Sequence, residues 1–254
     1  NPPFKLDFSE WRDTIDATRQ TVQGDQIEET LKFNSRFFAG VPNIPKKDKD
    51  KMAIYLLFIQ HIISSLNDEG KAAVVVPTGF LTEGRGRVTN IANKIRKRLV
   101  DEGWLRAVVS MPSNIFATTG TNVSIIFIDK TNQTGKAVLV DASSLGTEVK
   151  EGKNKKTLLS KEDEQQIINA IKNTIDENGF SAVKTFDEIK NYGGYSYNPG
   201  TYFDVQIQYV PISSEDFDSQ LHGYNERLVE MFNTSAVIEK AICSGMGGLR
   251  FEQN

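Results

Sequence analysis

The feature that most limits the fold is a short β-branched run, KAAVVVP, from Lys71 to Pro77, placed just after an almost wholly apolar segment. Bounded by turn residues, such a run reads as a strand covered on both faces, as in a parallel sheet. Pro77 ends its pairing, because proline brings no amide proton to the ladder. In the segment before it, Ile54, Leu56, Leu57, Phe58, Ile59, Ile62, Ile63 and Leu66 fall on nearly every side of a helix from Met52 to Leu66. Such a helix must be buried on most faces. Gly70 supplies its stop signal.

The alternation continues downstream. TGFLTEGRGR reads as a glycine-rich loop, and VTNIANKIRKRLVDEG as an amphipathic helix. Ile91, Ile95 and Leu99 are expected inward; Lys94, Arg96, Lys97 and Arg98 are expected outward. WLRAVVSMP, TNVSIIFIDK and KAVLVDAS read as three more strands. Strands alternating with helices over residues 52–110 imply βαβ units. The last two strands, joined by a short loop, imply an antiparallel hairpin at one end of the sheet. The fold class expected is therefore α/β, with a mixed sheet.

Other stretches are less regular. Residues 5–50 read as a polar, irregular excursion in which Pro42 and Pro45 argue against a continuous helix. GTEVKEGKNKKT reads as a polar loop. Ser160 can cap a helix running to about Asp176, with Ile167, Ile168, Ile171 and Ile175 on one stripe. NYGGYSYNPGTYFD is too rich in Gly and Tyr for regular helix. A last helix is expected from about Ser214 toward Cys243. Leu221, Tyr224, Leu228, Met231, Ile238 and Ile242 fall along it at heptad-like spacing, interrupted at Ser235. Such a stripe either docks on a partner or folds back on its own domain. The expected divisions are 1–150, 151–210 and a helical tail over 211–254.

Bulk properties bound the function. The 254 residues carry a formal net charge of -3, which argues against a self-sufficient, electrostatically driven nucleic-acid binder. The single cysteine, Cys243, cannot form an internal disulfide, so a reducing, cytoplasmic setting is expected. The longest apolar run, Met52 to Ile59, is far too short to span a bilayer. The chain starts at Asn1 without a Met, and it is read as a piece of a longer protein. His61 is expected inside, His222 on the surface and Cys243 in packing; these three give no metal-ligand spacing.

The residues that point to chemistry are Asn1, Pro2, Pro3 and Phe4. The amino group of adenine is a poor nucleophile, because its lone pair is delocalised into the ring. Two hydrogen-bond acceptors on its two hydrogens draw the nitrogen toward a reactive, tetrahedral geometry. An Asn side-chain oxygen is one such acceptor, and a carbonyl held rigid by prolines is another. The aromatic ring that follows can stack on a base flipped out of a duplex. The alternative reading of the same four residues is a stiff turn with a packed Phe.

Asn-Pro-Pro-Phe resembles the catalytic motif of amino-group DNA methyltransferases. The downstream segments FNSRFFAGVP, the apolar helix with its VVVP strand, KIRKRL, the SMPSNIFATTG turn (residues 110–120), VSIIFIDK and SYNPGTYFD resemble the modification (M) subunit of type I restriction-modification systems in order and spacing. The resemblance spans roughly residues 1–205. It implies the C-terminal half of a Rossmann-like methyltransferase sheet that uses S-adenosylmethionine, with a helical C-terminal tail. It implies that Asn1 and the Pro2 carbonyl accept from the target adenine, that Pro3 holds the turn and that Phe4 stacks. In that family the glycine-rich cofactor loop and the acidic ribose-binding residue precede the Pro-Pro motif, so the cofactor-binding residues are expected upstream of Asn1. DNA, a specificity (S) subunit and a restriction (R) subunit are the partners implied, and no membrane. Arg85 and Arg87 in the TEGRGR loop, and Lys153, Lys155 and Lys156 in GKNKK, are the candidate phosphate contacts. Thr118–Asn122 is read as a structural turn. Two other functions remain open: a non-catalytic docking module of methyltransferase fold, or an amino-group methyltransferase acting on protein glutamine or on RNA.

Overall fold

A computed structural model describes residues 1–17, 36–87, 89–116, 122–152, 154–204 and 212–247. The chain divides into two compact units, Asn1–Asp204 and Val205–Asn254. In the first unit a five-stranded sheet contains β1 (Lys71–Pro77), β2 (Leu105–Ser110), β3 (Val123–Asp129), β4 (Lys136–Asp141) and β7 (Ser181–Thr185), in the order β1-β3-β2-β4-β7. A separate two-stranded ribbon is made by β5 (Thr147–Glu151) and β6 (Asn154–Leu158).

The α/β class holds, and the sheet is mixed. The expected β3–β4 hairpin does not form. β3 inserts between β1 and β2, antiparallel to both, while β4 pairs in parallel with β2 on its far side. Both strands are too apolar for a hairpin at the rim. VSIIFID and KAVLVD each need a neighbour on both edges, and an apolar edge strand invites aggregation. The ribbon corrects another expectation, since a stretch read as loop forms paired strands from Thr147↔Leu158 to Glu151↔Asn154. β1 is also not covered on both faces: Val74 and Val76 are buried, whereas Ala73 is exposed and Val75 half-buried.

Helices cover the sheet unequally. α2 (Tyr55–Ser65), α3 (Ile91–Asp101) and α5 (Phe186–Asn191) pack on one face. Ile59 and Ile63 of α2, Ile95 and Leu99 of α3 and Ile189 of α5 join Val74, Val108, Ile126 and Leu139 of the sheet in the main core. α4 (Lys161–Asn173) packs on the other face through Ile167 and Ala170, against Ala107, Val109, Val138 and Val140. Removing a buried side chain of this kind, as in Leu99→Ala, costs about 2–5 kcal/mol. α4 starts with a reciprocal capping box: the Ser160 hydroxyl accepts from the Asp163 amide and the Asp163 carboxylate from the Ser160 amide. These bonds satisfy donors that a helix start leaves open. At the other end of α2 the chain closes tightly, and a Cβ on Gly70 would lie 2.7 Å from Leu66 Cβ. No side chain fits there, so the turn that leads from the helix end at Ser65 into β1 requires glycine.

Within residues 5–50 a short helix, α1 (Ser9–Ala17), corrects the irregular reading; Asp7 Oδ1 accepts from the Ser9 amide at 2.9 Å just before it. Residues 18–35 lie outside the described set. In α2 the polar Gln60 is wholly buried; its Oε1 accepts from the Ala39 amide at 2.8 Å and its Nε2 donates to the Gly40 carbonyl at 3.0 Å. His61, expected inside, is exposed, because it faces away from the sheet beside half-buried Ile62.

The second unit contains α6 (Ser214–Gly247). Leu221, Tyr224, Leu228, Met231, Ile238 and Ile242 line it as expected, and each is exposed. Cys243 is exposed as well, not packed, because it sits on a helix with no buried face among the described residues. No described helix is long and apolar enough to cross a membrane.

Candidate functional site at the carboxyl edge of the sheet

Because β3 is antiparallel to β1 and β2, and β4 is parallel to β2, strands β1, β2 and β4 share one direction. Pro77, Ser110 and Asp141 therefore end at one edge. In open α/β sheets ligands bind in the crevice outside the carboxyl ends of the parallel strands. α2 runs back against β1, so its first residue, Tyr55, lies at that same edge.

The Asn-Pro-Pro-Phe segment sits here. Phe4 packs half-buried against the main core, its ring 6.4 Å from that of Tyr55 at an interplanar angle of 76°. Tyr55 in turn meets Phe80, three residues past the end of β1, at 6.1 Å and 82°. The chain after the motif is tied down by the Leu6 amide, which donates to the Met52 carbonyl at 3.1 Å, and by Phe8, which is buried against Val41, Met52 and Leu57. Asn1 and Pro3 are exposed and Pro2 is half-buried. The segment thus presents the Asn1 side chain to solvent while anchoring the ring that follows.

The loop after β1 is the most heavily braced part of the edge. It opens with a 3-10 turn, Thr78–Leu81. The Thr78 amide donates to the Asn122 carbonyl at 2.9 Å, and its hydroxyl lies 3.0 Å from that of Ser124. Gly84 has φ +66°, and a Cβ there would fall 2.1 Å from the Asn90 side chain, so the turn requires glycine. Asn90 caps α3 by accepting from the Asn93 amide at 3.0 Å.

Beneath this loop lies Arg96, which was expected outward and is fully buried. Its Nε donates to the Tyr195 carbonyl at 2.8 Å and its Nη2 to the Glu83 carbonyl at 2.8 Å and to Asn93 Oδ1 at 3.2 Å. Nη1 donates to the Phe80 carbonyl. The Arg96 carbonyl accepts from the Tyr197 hydroxyl at 2.6 Å. Burial depresses the guanidinium pKa, while the neighbouring Tyr197 and Glu83 oppose that shift. The physical reason for the inward turn is spacing: Ala92, Arg96, Leu99 and Val100 fall on one face, all buried. One cation therefore joins the loop after β1 to the Gly193–Pro199 segment. Tyr195 there has φ +61°, a conformation that non-glycine residues adopt only when their surroundings hold them. Its ring is clamped too, with Lys97 Nζ 4.9 Å from the ring centroid and 3.0 Å from the hydroxyl.

The candidate phosphate contacts divide. Arg85 and Arg87 are exposed on the braced loop, and Arg85 lies against Gly194, where a Cβ would sit 3.5 Å from its Nε. Lys155 and Lys156 are on β6, remote in sequence but tied to the same edge: the Thr157 amide donates to the Asn114 carbonyl at 3.0 Å and its hydroxyl to the Ser113 carbonyl at 2.6 Å. Ser113 and Asn114 follow β2. Lys155 already has a partner, Glu148 Oε1 at 2.8 Å, which raises its pKa. Lys153 and residues 117–121, including most of the expected Thr118–Asn122 turn, lie outside the described set. Tyr55, Glu83 and Arg96 escaped the sequence reading. The signal for Arg96 was available in the 3.6-residue spacing of the α3 stripe; nothing local marks Tyr55 or Glu83.

The donor set also tests for a nucleoside cofactor. Binding S-adenosylmethionine calls for an acidic side chain free to hold the ribose and an open glycine turn. At this edge the Glu83 carboxylate is taken by the Tyr55 hydroxyl at 3.2 Å and the Asn90 amide at 3.4 Å, and Gly84 closes directly over Asn90. Glu83 and the Gly84 turn therefore do not make that site. The described residues make a braced aromatic edge carrying an exposed Asn. Among them no group of three or more His, Cys, Asp or Glu is placed to hold a metal ion.

The profile of the N-6 DNA Methylase family matches residues 1–208. The chain is 26% identical to the type I restriction enzyme MjaIX methylase subunit of Methanocaldococcus jannaschii over 99% of its own length and 42% of the relative's. It is 29% identical to the MjaVIII methylase subunit of the same organism, over 92% of this chain and 38% of that one. A crystal structure of the type I restriction-modification methyltransferase subunit from Streptococcus thermophilus superposes with a TM-score of 0.53 at 29% identity, covering 61% of this chain and 31% of that one. The chain spans less than half the length of each of these relatives. It belongs to the N-6 DNA methylase family.

Proposed function

We propose that this chain supplies the base-side half of a type I modification methylase, which transfers a methyl group from S-adenosylmethionine to the exocyclic amino group of adenine in DNA. The observation that carries this reading is the placement of Asn1–Phe4 at the carboxyl edge of β1, with the ring anchored on Tyr55 and the Asn exposed. A flipped adenine stacked on Phe4 would bring its amino hydrogens to Asn1 Oδ1 and the Pro2 carbonyl. Pro3 would hold the turn. These groups act by orientation and by drawing electron density onto the nitrogen. The methyl donor would be held by residues preceding Asn1. Arg85 and Arg87, with Lys153, Lys155 and Lys156 of the ribbon, would contact the duplex backbone. Sequence choice would rest with a specificity subunit, which fits the net charge of -3. We place the molecule in the cytoplasm.

The test is methyl transfer from labelled S-adenosylmethionine by the full-length protein with its specificity subunit, followed by nucleoside analysis of the duplex. N6-methyladenine is the expected product. Label on protein glutamine, on RNA or nowhere would remove the reading. The exposed apolar stripe of α6 favours a docking role for residues 211–254 in addition to the chemistry.

A further inference from the structure

Phe4 leans on a residue that is itself held from three sides. Tyr55 is 5% exposed and meets Phe4 on one side and Phe80 on another. Its hydroxyl donates to Glu83 Oε2 at 3.2 Å. Glu83 is fixed in turn, through Oε1 to Asn90 Nδ2 at 3.4 Å and through its carbonyl to Arg96 at 2.8 Å. A phenol buried at the start of a helix must find a partner or it destabilises the fold. A phenylalanine would fill the same space without one. The hydroxyl therefore does something the ring alone does not: it links the aromatic contact under Phe4 to residues 82–87, among which Arg85 and Arg87 stand. Burial and the Glu83 charge both raise the Tyr55 pKa, so the phenol remains a donor at working pH.

We propose that Tyr55 is a positioning residue for the Phe4 ring, and that its bond to Glu83 couples the tilt of that ring to the arginine-bearing loop, so that backbone contact by the loop and stacking of the flipped base are set together. The proposal rests on the reading of Phe4 as the base-stacking ring. Edge-to-face contacts favour one ring orientation by a few-fold to roughly tenfold, and a hydrogen bond to a charged group adds roughly tenfold or more.

The experiment uses the full-length protein with its specificity subunit and two duplexes: one with the target adenine, on which methyl transfer is measured, and one with 2-aminopurine in its place, which accepts no methyl group and reports base stacking by fluorescence. Tyr55→Phe keeps the packing and removes only the link to Glu83. Its kcat should fall roughly tenfold with KM for DNA unchanged, and the fluorescence per bound duplex should change. Glu83→Leu should do the same, and the double variant should be no worse than either single one. A merely structural role would lower the melting temperature and the active fraction but leave fluorescence per bound duplex as in the wild type. Phe4→Leu separates the two ideas. If it lowers kcat and alters fluorescence while Tyr55→Phe does neither, the coupling alone is overturned. If Phe4→Leu itself changes nothing, the stacking reading falls and takes this proposal with it.

Discussion

Arg96 Nε donates to the carbonyl of Tyr195 at 2.8 Å, across 99 residues of chain. That bond joins the loop after β1 to the Gly193–Pro199 segment and holds Tyr195 at φ +61°. A buried cation whose described hydrogen bonds all go to neutral oxygens is a costly element. It persists because it satisfies several otherwise orphaned carbonyls at once.

Arg96→Met should therefore destabilise the first unit strongly. The side-chain volume is kept, but the Phe80, Glu83 and Tyr195 carbonyls lose their donor. Each buried unsatisfied group costs about 1–3 kcal/mol, so a total loss of roughly 3–9 kcal/mol is expected in denaturant melts. Arg96→Lys should recover only part of it, since an ammonium cannot reach carbonyls spread over a guanidinium fork.

Gly84→Ala should also destabilise. The position has φ +66° and a Cβ would strike Asn90, which caps α3. The backbone strain and the displaced cap together should cost about 2–3 kcal/mol. Gly86→Ala shares the positive φ, +73°, but meets open space, so it should cost about 1 kcal/mol. Equal losses at both would contradict the close approach of Gly84 to Asn90.

The acid limb of stability should depend on Glu188. The Thr185 backbone amide and then its hydroxyl donate to this carboxylate and lower its pKa in the fold. A carboxyl held below its unfolded value stabilises the fold above the unfolded pKa, and that contribution is lost as pH falls through the folded value. Glu188→Gln should flatten the decline of melting temperature below about pH 4.5, near the ordinary glutamate range. An unchanged acid profile would show that the Thr185–Glu188 capping box does not govern it.

Gln60→Leu should loosen the chain around Ala39. The buried amide satisfies both the Ala39 amide and the Gly40 carbonyl, so a loss of about 2–6 kcal/mol is expected from two orphaned groups. Limited proteolysis near Phe38 should accelerate more than cleavage elsewhere.

Much of this was legible from the amino acids because periodicity reports burial directly. Ile59, Val76, Ile95 and Val108 lie in the core that the apolar patterns mark. Pairing was less legible. Apolarity marked β3 and β4 as strands but does not say which strands flank them, and loop length misled toward a hairpin at one end of the sheet. The β5–β6 ribbon escaped because it has polar side chains on both faces, such as Lys150 opposite Lys155, and backbone hydrogen bonds carry no sequence signature. At the edge, Asn1–Phe4 stood out because prolines constrain the backbone visibly. The bonds that join Tyr55 to Glu83, and Arg96 to Glu83 and Tyr195, link residues far apart in sequence; periodicity can mark the burial of Arg96, but no local pattern encodes those partners.

The central claim is that Asn1 accepts a hydrogen bond from the adenine amino group. The most direct measurement is kcat for methyl transfer to duplex DNA by the full-length protein with its specificity subunit, compared between wild type and Asn1→Ala. Loss of one preorganised partner at a reacting centre costs on the order of a hundredfold. The account predicts a fall in kcat of about that size with DNA binding retained; an Asn1→Ala enzyme that turns over at the wild-type rate would contradict it.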